Sequence, residues 1–570
     1  MSEAAEAPIG RFAGLLGLLS RRPLLVLALF CLTLWTPGVL SLPPLDRDES
    51  RFAQSSKQML ESGEFIDIHF GAVPRYKKPV GIYWMQAAAT EVAGLGDRSH
   101  IWTYRLPSLL GAMAAVWLAF WCARAFAEVE VAFLGAALLG ASLLLGAEAT
   151  IATTDAVLLA CILGAQGMLL RVYLARGEGK PVDLKLALAG WVAFGLAVLV
   201  KGPPVVAVCG ITVVGLSLWD RKWSWLRQSR PLVGIAVVLA IVAPWAIAIA
   251  LRSHGHFYEQ SLGQDFATKL QGGQETHGAP PGYYLLLTNI TFWPAILFLL
   301  PAVAAAIRAH AQPAIRFLLV WAGANWIMFE LVPTKLPHYI LPVYPALTIL
   351  AAVWVLGARE TSPRWEKPLR YVAALQFALG AAALAAAPIL LPKLYGDGTA
   401  WWLIAAGGVG AAIAFAALIA SLRRANLAAA LLSFAAVLVF YPILTAFIGP
   451  RLEQLWVSPR AAAAAAALAR PGDPPPALAG YVEPSLVFLL GTETRQTDGR
   501  GAADAGAAQG GLALVEDREQ SSFLAHLAEL ETDASEVGSV SGFNYSRGRR
   551  VHIRFYRVTP SREATAPPPE

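Results

Sequence analysis

The stretch RPLLVLALFCLTLWTPGVLSLPPLDRDESRF, Arg22 to Phe52, runs straight from an apolar segment into a cluster of acids and arginines. Its apolar part is close to the roughly 20 residues that an α-helix needs to cross a bilayer core. Asp46, Asp48 and Glu49 follow where such a helix would emerge. Either the cluster is ordinary loop chemistry, or it belongs to a site that works at the membrane surface.

The rest of the chain supports a membrane setting. Of its 570 residues, 56% are hydrophobic and 15% charged, against roughly 25% charged in a soluble domain. About thirteen runs approach spanning length: near 22–40, 102–123, 131–147, 150–171, 185–200, 203–219, 231–251, 283–306, 314–332, 339–357, 371–391, 400–422 and 426–448. The first follows Arg21 and Arg22 but has no small-residue cleavage site behind it, so it reads as an anchor rather than a signal peptide. Cys31, Cys122, Cys161 and Cys209 all fall within these runs without a CxxC spacing, which suggests neither a disulfide framework nor a thiolate metal site. The expected class is an α-helical polytopic membrane protein.

Cations gather in alternate connections: Arg21 and Arg22; Arg124; Arg171, Arg176, Lys180 and Lys185; Arg221, Lys222, Arg227 and Arg230; Arg308 and Arg316; Arg359, Arg364, Lys367 and Arg370; Arg423 and Arg424. The positive-inside rule assigns these loops to the cytoplasm. The N-terminus is then inside and, with an odd number of spans, the C-terminal region outside. The net charge of +6 follows from topology and gives no reason to expect a nucleic-acid partner. The long connections 41–101 and 252–282 become external.

Residues 1–448 therefore read as a membrane domain and 449–558 as a small soluble α/β domain, with a disordered tail at 559–570. In the soluble part SPRAAAAAAALAR and SSFLAHLAELE read as helices, ALAGYV and GLALVE as short strands, and RRVHIRFYRV as an alternating strand.

The candidate chemistry lies on the external side. DESRFAQSSKQMLES starts with acids, which suit a helix N-terminus, and Phe52, Met59 and Leu60 would let it lie flat on the bilayer. In VPRYKKPVGIYW, Arg75, Lys77 and Lys78 stand beside Tyr76, Tyr83 and Trp84. That composition suits an interfacial belt or a phosphate pocket at headgroup depth. Asp155 falls inside the external end of an apolar run, where a carboxylate is costly and by default a functional candidate, with helix-end capping or a buried structural pair as the alternative. Glu148 is weaker because it can reach water. Lys201, Lys335 and His338 occupy short external turns, each unremarkable alone. No His or acid spacing matches a metal motif.

These residues resemble a known family. DESRFA resembles the DE-x-R-[FY]-A start of the first external loop in bacterial lipid-carrier-dependent glycosyltransferases of the C-type (GT-C) fold. More narrowly, the chain is similar to the 4-amino-4-deoxy-L-arabinose lipid A transferases, relatives of the protein O-mannosyltransferases. RYKKPVGIYW matches their R-Y-x-K-P…Y-W segment, VKGP their short K-G turn, HGAPPGYY their H-x-x-P…Y-Y, and TKLPHYILP their K-L-P-x-Y-x-L stretch, in order across residues 48–342. One position departs: the family carries an acid before the matching lysine, where this chain has Lys77, so a carboxylate or metal role there is not carried over.

The resemblance implies an undecaprenyl-phosphate-linked sugar as donor and lipid A as acceptor, in a bacterial inner membrane, with the site on the periplasmic face. It implies no cofactor and leaves a divalent metal open. Asp48, Glu49 and Asp155 become the candidate catalytic residues. Arg51, Arg75, Tyr76, Lys78, Tyr83, Lys201, Lys335, His338 and Tyr339 become the candidates for binding lipid phosphate or substrate. Two rivals stand beside it: a carrier-dependent transferase acting on protein or another glycan, and a secondary transporter, which would set its charges nearer mid-membrane.

Overall fold

A computed structural model describes residues 12–176, 182–266, 278–357 and 364–560. The readings at Lys180 and Arg359, the histidine that opens HGAPPGYY (His277), and nearly all of the tail expected beyond 558 lie outside these residues.

Among the described residues eleven helices are long and apolar enough to cross a membrane, or twelve if the bent pair Val129–Ala141 and Leu143–Ala149 forms one span. Several start on proline at the first helical position (Pro23, Pro203, Pro231, Pro313), where the missing N–H costs nothing. The expected count of thirteen falls because the run 283–306 is split. It forms Tyr283–Thr291 and Ile296–Arg308, each too short to span, around Pro294. The bent pair breaks at Ser142, which takes extended backbone angles and turns the chain by 66°. The two breaks satisfy each other: the Leu143 amide donates to the Trp293 carbonyl at 3.1 Å. The Tyr441 hydroxyl donates to the Ala141 carbonyl at 2.8 Å. In a bilayer such backbone groups must find protein partners.

The first long connection folds into the helix Asp48–Ser62, a short hairpin of β1 (His69–Phe70) and β2 (Val73–Pro74), and the helix Gly81–Ala93. The expected surface helix is not laid flat on a membrane. Phe52, Ser55, Ser56 and Met59 are buried along one face, and Ser50 and Gln54 on the opposite one. Ser56 Oγ donates to Gln86 Oε1 at 2.8 Å, and Gln54 Nε2 donates to Thr492 Oγ1 at 2.6 Å. A helix buried on both faces belongs between two parts of the protein.

One of those parts is the C-terminal sheet. Strands β3 (Ala477–Ala479), β4 (Arg495–Thr497), β5 (Gly511–Glu516), β6 (Ala534–Asn544) and β7 (Arg549–Val558) lie in the order β4-β3-β5-β7-β6. β3 is parallel to β4 and β5, whereas β5–β7 and β6–β7 are antiparallel. Helices Val457–Leu468 and Pro484–Leu490 pack into the core on one face of the sheet, and Gly499–Gln509 and Asp517–Glu529 on the other. Pro484–Leu490 also packs on Asp48–Ser62.

Candidate functional site

Where the long first connection meets the spans lies a cavity of about 370 Å³. Asp48 and Arg51 enter it from the first turn of the connecting helix, where Glu49 only touches its edge, Arg75, Lys77 and Lys78 from the segment after β2, and Glu148 and Asp155 from the ends of two apolar helices. Lys201, His338 and Tyr339 come from the two short turns. Two glycines allow this convergence. A Cβ on Gly81 would meet the Leu199 carbonyl oxygen at 2.7 Å, so the helix after Lys78 can lie directly against the end of the helix that carries Lys201. Gly202, at φ +79°, then turns the chain at once into the next helix.

Asp48 is the carboxylate most open to this space, with 62% of its side chain exposed, and Arg51 Nη1 stands 3.7 Å away. The surrounding protein would raise its pKa, but Arg75 foremost, then Arg51, His338 and Lys201, hold the carboxyl below the usual range. Arg75 is itself aimed: its Nε donates to the Tyr83 hydroxyl at 3.2 Å, and its guanidinium lies 5.3 Å from the centre of the Phe52 ring.

Deeper in, Lys201 Nζ donates to both Asp155 oxygens, at 2.6 and 2.8 Å. His338 bridges the two acids, with Nε2 3.9 Å from Asp155 and Nδ1 3.8 Å from Glu148. Glu148 does not reach bulk water as expected; it is buried and accepts from Thr153 Oγ1 at 2.9 Å. Tyr339 lies over this pair, its ring 5.8 Å from Lys201 Nζ.

Several expected residues have other work. Glu49 is turned away from the cavity chemistry. Its Oε1 accepts from Arg105 Nε at 2.7 Å and the Ala152 amide at 2.8 Å. Its Oε2 accepts from Arg105 Nη2 at 2.9 Å and the Leu45 amide at 2.8 Å. Arg105 also donates to the carbonyls of Val39, Leu42 and Pro43. Lys335 is no solvated tip: it is buried and donates to the carbonyls of Glu330 and Val332 at 2.8 and 2.7 Å, capping the end of the helix Pro313–Leu331. Tyr76 and Tyr83 are buried behind the wall, Tyr76 packed edge-on against Phe257.

The sequence reading missed Arg105, hidden in an apolar run, and the grip of the sheet domain on the Asp48 loop. The Tyr545 hydroxyl accepts from the Asp46 amide at 2.7 Å, and Ser485 Oγ donates to Asp46 Oδ1. Arg47 donates to the Ser546 carbonyl. Arg47 has φ +63° and ψ −113°, a region that L-residues rarely adopt. The contacts on either side hold it there.

Around the cavity stand Arg47, Arg51, Arg75, Lys77, Lys78 and Lys201. Facing them are Asp46, Asp48, Glu148 and Asp155, once Glu49 is assigned to Arg105. A surplus of cations beside one accessible carboxylate suits an anionic substrate. Among the described residues no group of three or more His, Cys, Asp or Glu is arranged to hold a metal ion.

The fold is that of an integral membrane protein of the GT-C architecture. Two crystal structures of ArnT from Cupriavidus metallidurans share the fold. The one bound to undecaprenyl phosphate aligns at TM-score 0.70 and 20% identity, over 94% of this chain and 97% of that one. The apo form aligns at TM-score 0.67 and 21% identity, over 97% and 98%. The profile described as dolichyl-phosphate-mannose-protein mannosyltransferase matches residues 77–247.

The particular relatives are proteins named undecaprenyl phosphate-alpha-4-amino-4-deoxy-L-arabinose arabinosyl transferase. The one from Erwinia tasmaniensis is 28% identical over 352 residues, 60% of this chain and 61% of that protein. The one from Aeromonas salmonicida is 29% identical over 332 residues, 55% of this chain and 57% of that protein. The matched region thus spans about three-fifths of the length of these relatives. The similarity read from the ordered motifs is borne out.

Proposed function

We propose that this protein is a membrane glycosyltransferase that moves 4-amino-4-deoxy-L-arabinose from undecaprenyl phosphate to a phosphate of lipid A, at the periplasmic face of a bacterial inner membrane. The observation that carries this reading is the accessible Asp48 carboxylate beside a cationic cavity at the end of the spans. The alternation of basic loops supports the orientation, and the names of the relatives support the substrates.

The chemistry needs little from the protein beyond electrostatics and position. As the bond from the anomeric carbon to the donor phosphate breaks, negative charge grows on the departing oxygen. Lys78 and Arg51, with Arg75 and Lys201 nearby, are there to meet it, and such contacts act most strongly in the transition state. The acceptor phosphate oxygen is already anionic near neutral pH, since a phosphomonoester has its second pKa near about 6. It forms the new bond without a general base, and no proton has to move. Asp48 then orients the sugar's ammonium group or stabilises the positive charge that builds on the ring.

The test is mass spectrometry of lipid A from a strain with and without the gene for this chain. Loss of an aminoarabinose-sized addition supports the reading. Unchanged lipid A with an altered protein or polysaccharide moves the acceptor to the rival transferase class.

A further inference from the structure

A second cavity, of about 910 Å³, lies between the sheet domain and the membrane domain. Leu394 and Tyr395, which end the apolar helix Glu366–Tyr395, form one wall; the other comes from β6 and β7, including Ser541, Arg549, Arg550 and His552. A cavity floored by the last residues of a membrane helix sits at headgroup depth. Tyr545, in the turn joining the same two strands, touches Asp46. The hairpin thus reaches the wall of the first cavity, and the two cavities share no lining residue.

Its charges do not balance locally. Glu516 is buried and taken up by Arg549, through both oxygens, and by Arg518 at 3.1 Å. Asp517 accepts from Arg554 Nε at 2.9 Å. Arg550 lines the cavity, is exposed, and has no ion-pair partner among the described residues. Beside it stand Ser541 and His552, joined at 2.5 Å, and Gln454. An uncompensated guanidinium among hydroxyl, imidazole and amide groups matches a phosphate on a sugar or glycerol better than a neutral headgroup.

We propose that this cavity is a second lipid site, which takes a phosphate-bearing headgroup through Arg550. The headgroup can come from the acceptor glycolipid, an arm that rests on the function proposed above, or from bulk anionic phospholipid, an arm that does not.

The experiment is native mass spectrometry of the full-length protein titrated separately with lipid A, phosphatidylglycerol and an uncharged diacyl glycolipid. Arg550→Glu is compared with wild type, and Arg550→Gln with an unchanged melting temperature controls for folding. Occupancy by the phosphate-bearing lipid is expected to fall about tenfold in Arg550→Glu, the loss of one charge-assisted contact; the uncharged lipid is unaffected. A fall for lipid A alone assigns the acceptor, and a fall for both phosphate-bearing lipids assigns bulk phospholipid. Equal binding of all three lipids by wild type and both variants overturns the site. Asp48→Asn should leave this binding intact, so a failure of the transferase reading shows itself separately.

Discussion

Glu49 and Arg105 form a two-pronged ion pair, at 2.7 and 2.9 Å, with side chains 2% and 0% exposed. The pair ties the start of the Asp48 helix to the span Ile101–Ala123 and to the carbonyls that end the first span. It is the anchor against which the neighbouring Asp48 is presented.

Removing one partner leaves a buried charge alone. Arg105→Met should therefore lose about 3–5 kcal/mol of stability, read as a lower melting temperature in detergent. Adding Glu49→Leu should recover only part of it, because the Leu45 and Ala152 amides lose their acceptor. An unchanged melting temperature in Arg105→Met would remove the anchor from the account.

The two turn lysines should part company. Lys201 faces the cavity on Asp155, whereas Lys335 caps three carbonyls of its own turn. Lys335→Met is expected to cost about 1–3 kcal/mol of stability, as unpaired carbonyls do, with KM for the donor unchanged. Lys201→Met is expected to lower kcat/KM. Steady-state kinetics and thermal unfolding on both variants decide it, and the reverse pattern contradicts the assignment.

Much of this was legible from charge alone. Asp155 stands out because a carboxylate inside an apolar run is expensive, and Lys78 because it sits in a cationic segment beside aromatics; Lys201, unremarkable alone, counts only as one of several charges on the same side, and the structure gathers all three around one cavity. Helix geometry explains the misreading of Glu49. Successive residues of an α-helix point about 100° apart, so Asp48 can look into the cavity while Glu49 looks into the core. Only tertiary packing reveals which is which. Arg105 carried the same signal as Asp155, a charge inside an apolar run, but its partner lies 56 positions away in sequence. The split of 283–306 was marked by Pro294, although its mate at Ser142 comes from a distant segment.

The sheet domain should grip the Asp48 loop more tightly in mild acid. Burial, opposed by the Ser485 hydrogen bond, pushes the Asp46 carboxyl up to about 6. An acid whose folded pKa is raised favours the folded contact when protonated. Its destabilising charge therefore appears as pH rises from about 3.8 and is complete above about 6. Hydrogen exchange across Asp48–Ser62 is expected to slow from pH 7.5 to pH 5, after correction for intrinsic rates. Asp46→Asn, which keeps an acceptor for Ser485, should flatten that difference. The same slope in the variant would mean that another group titrates.

Asp48 has the opposite sign. Its carboxyl is held below the ordinary range by Arg75 and Arg51 against the effect of burial. Its charge is therefore lost only as pH falls through that lowered value. No loss of transfer traceable to Asp48 is expected between pH 5 and pH 8. A pH–rate limb in that window that disappears in Asp48→Glu would contradict the cation arrangement.

In the proposed reaction this cavity passes a sugar from one lipid phosphate to another under the charge of Asp48. The most direct measurement reconstitutes the purified full-length protein with undecaprenyl-phosphate aminoarabinose and lipid A and follows lipid A by mass spectrometry. Wild type should add one aminoarabinose mass, and a folded Asp48→Asn should be slower by about 10²–10³, the loss typical of one electrostatic group acting on the transition state. No addition by wild type, or equal rates in the two proteins, would contradict the account.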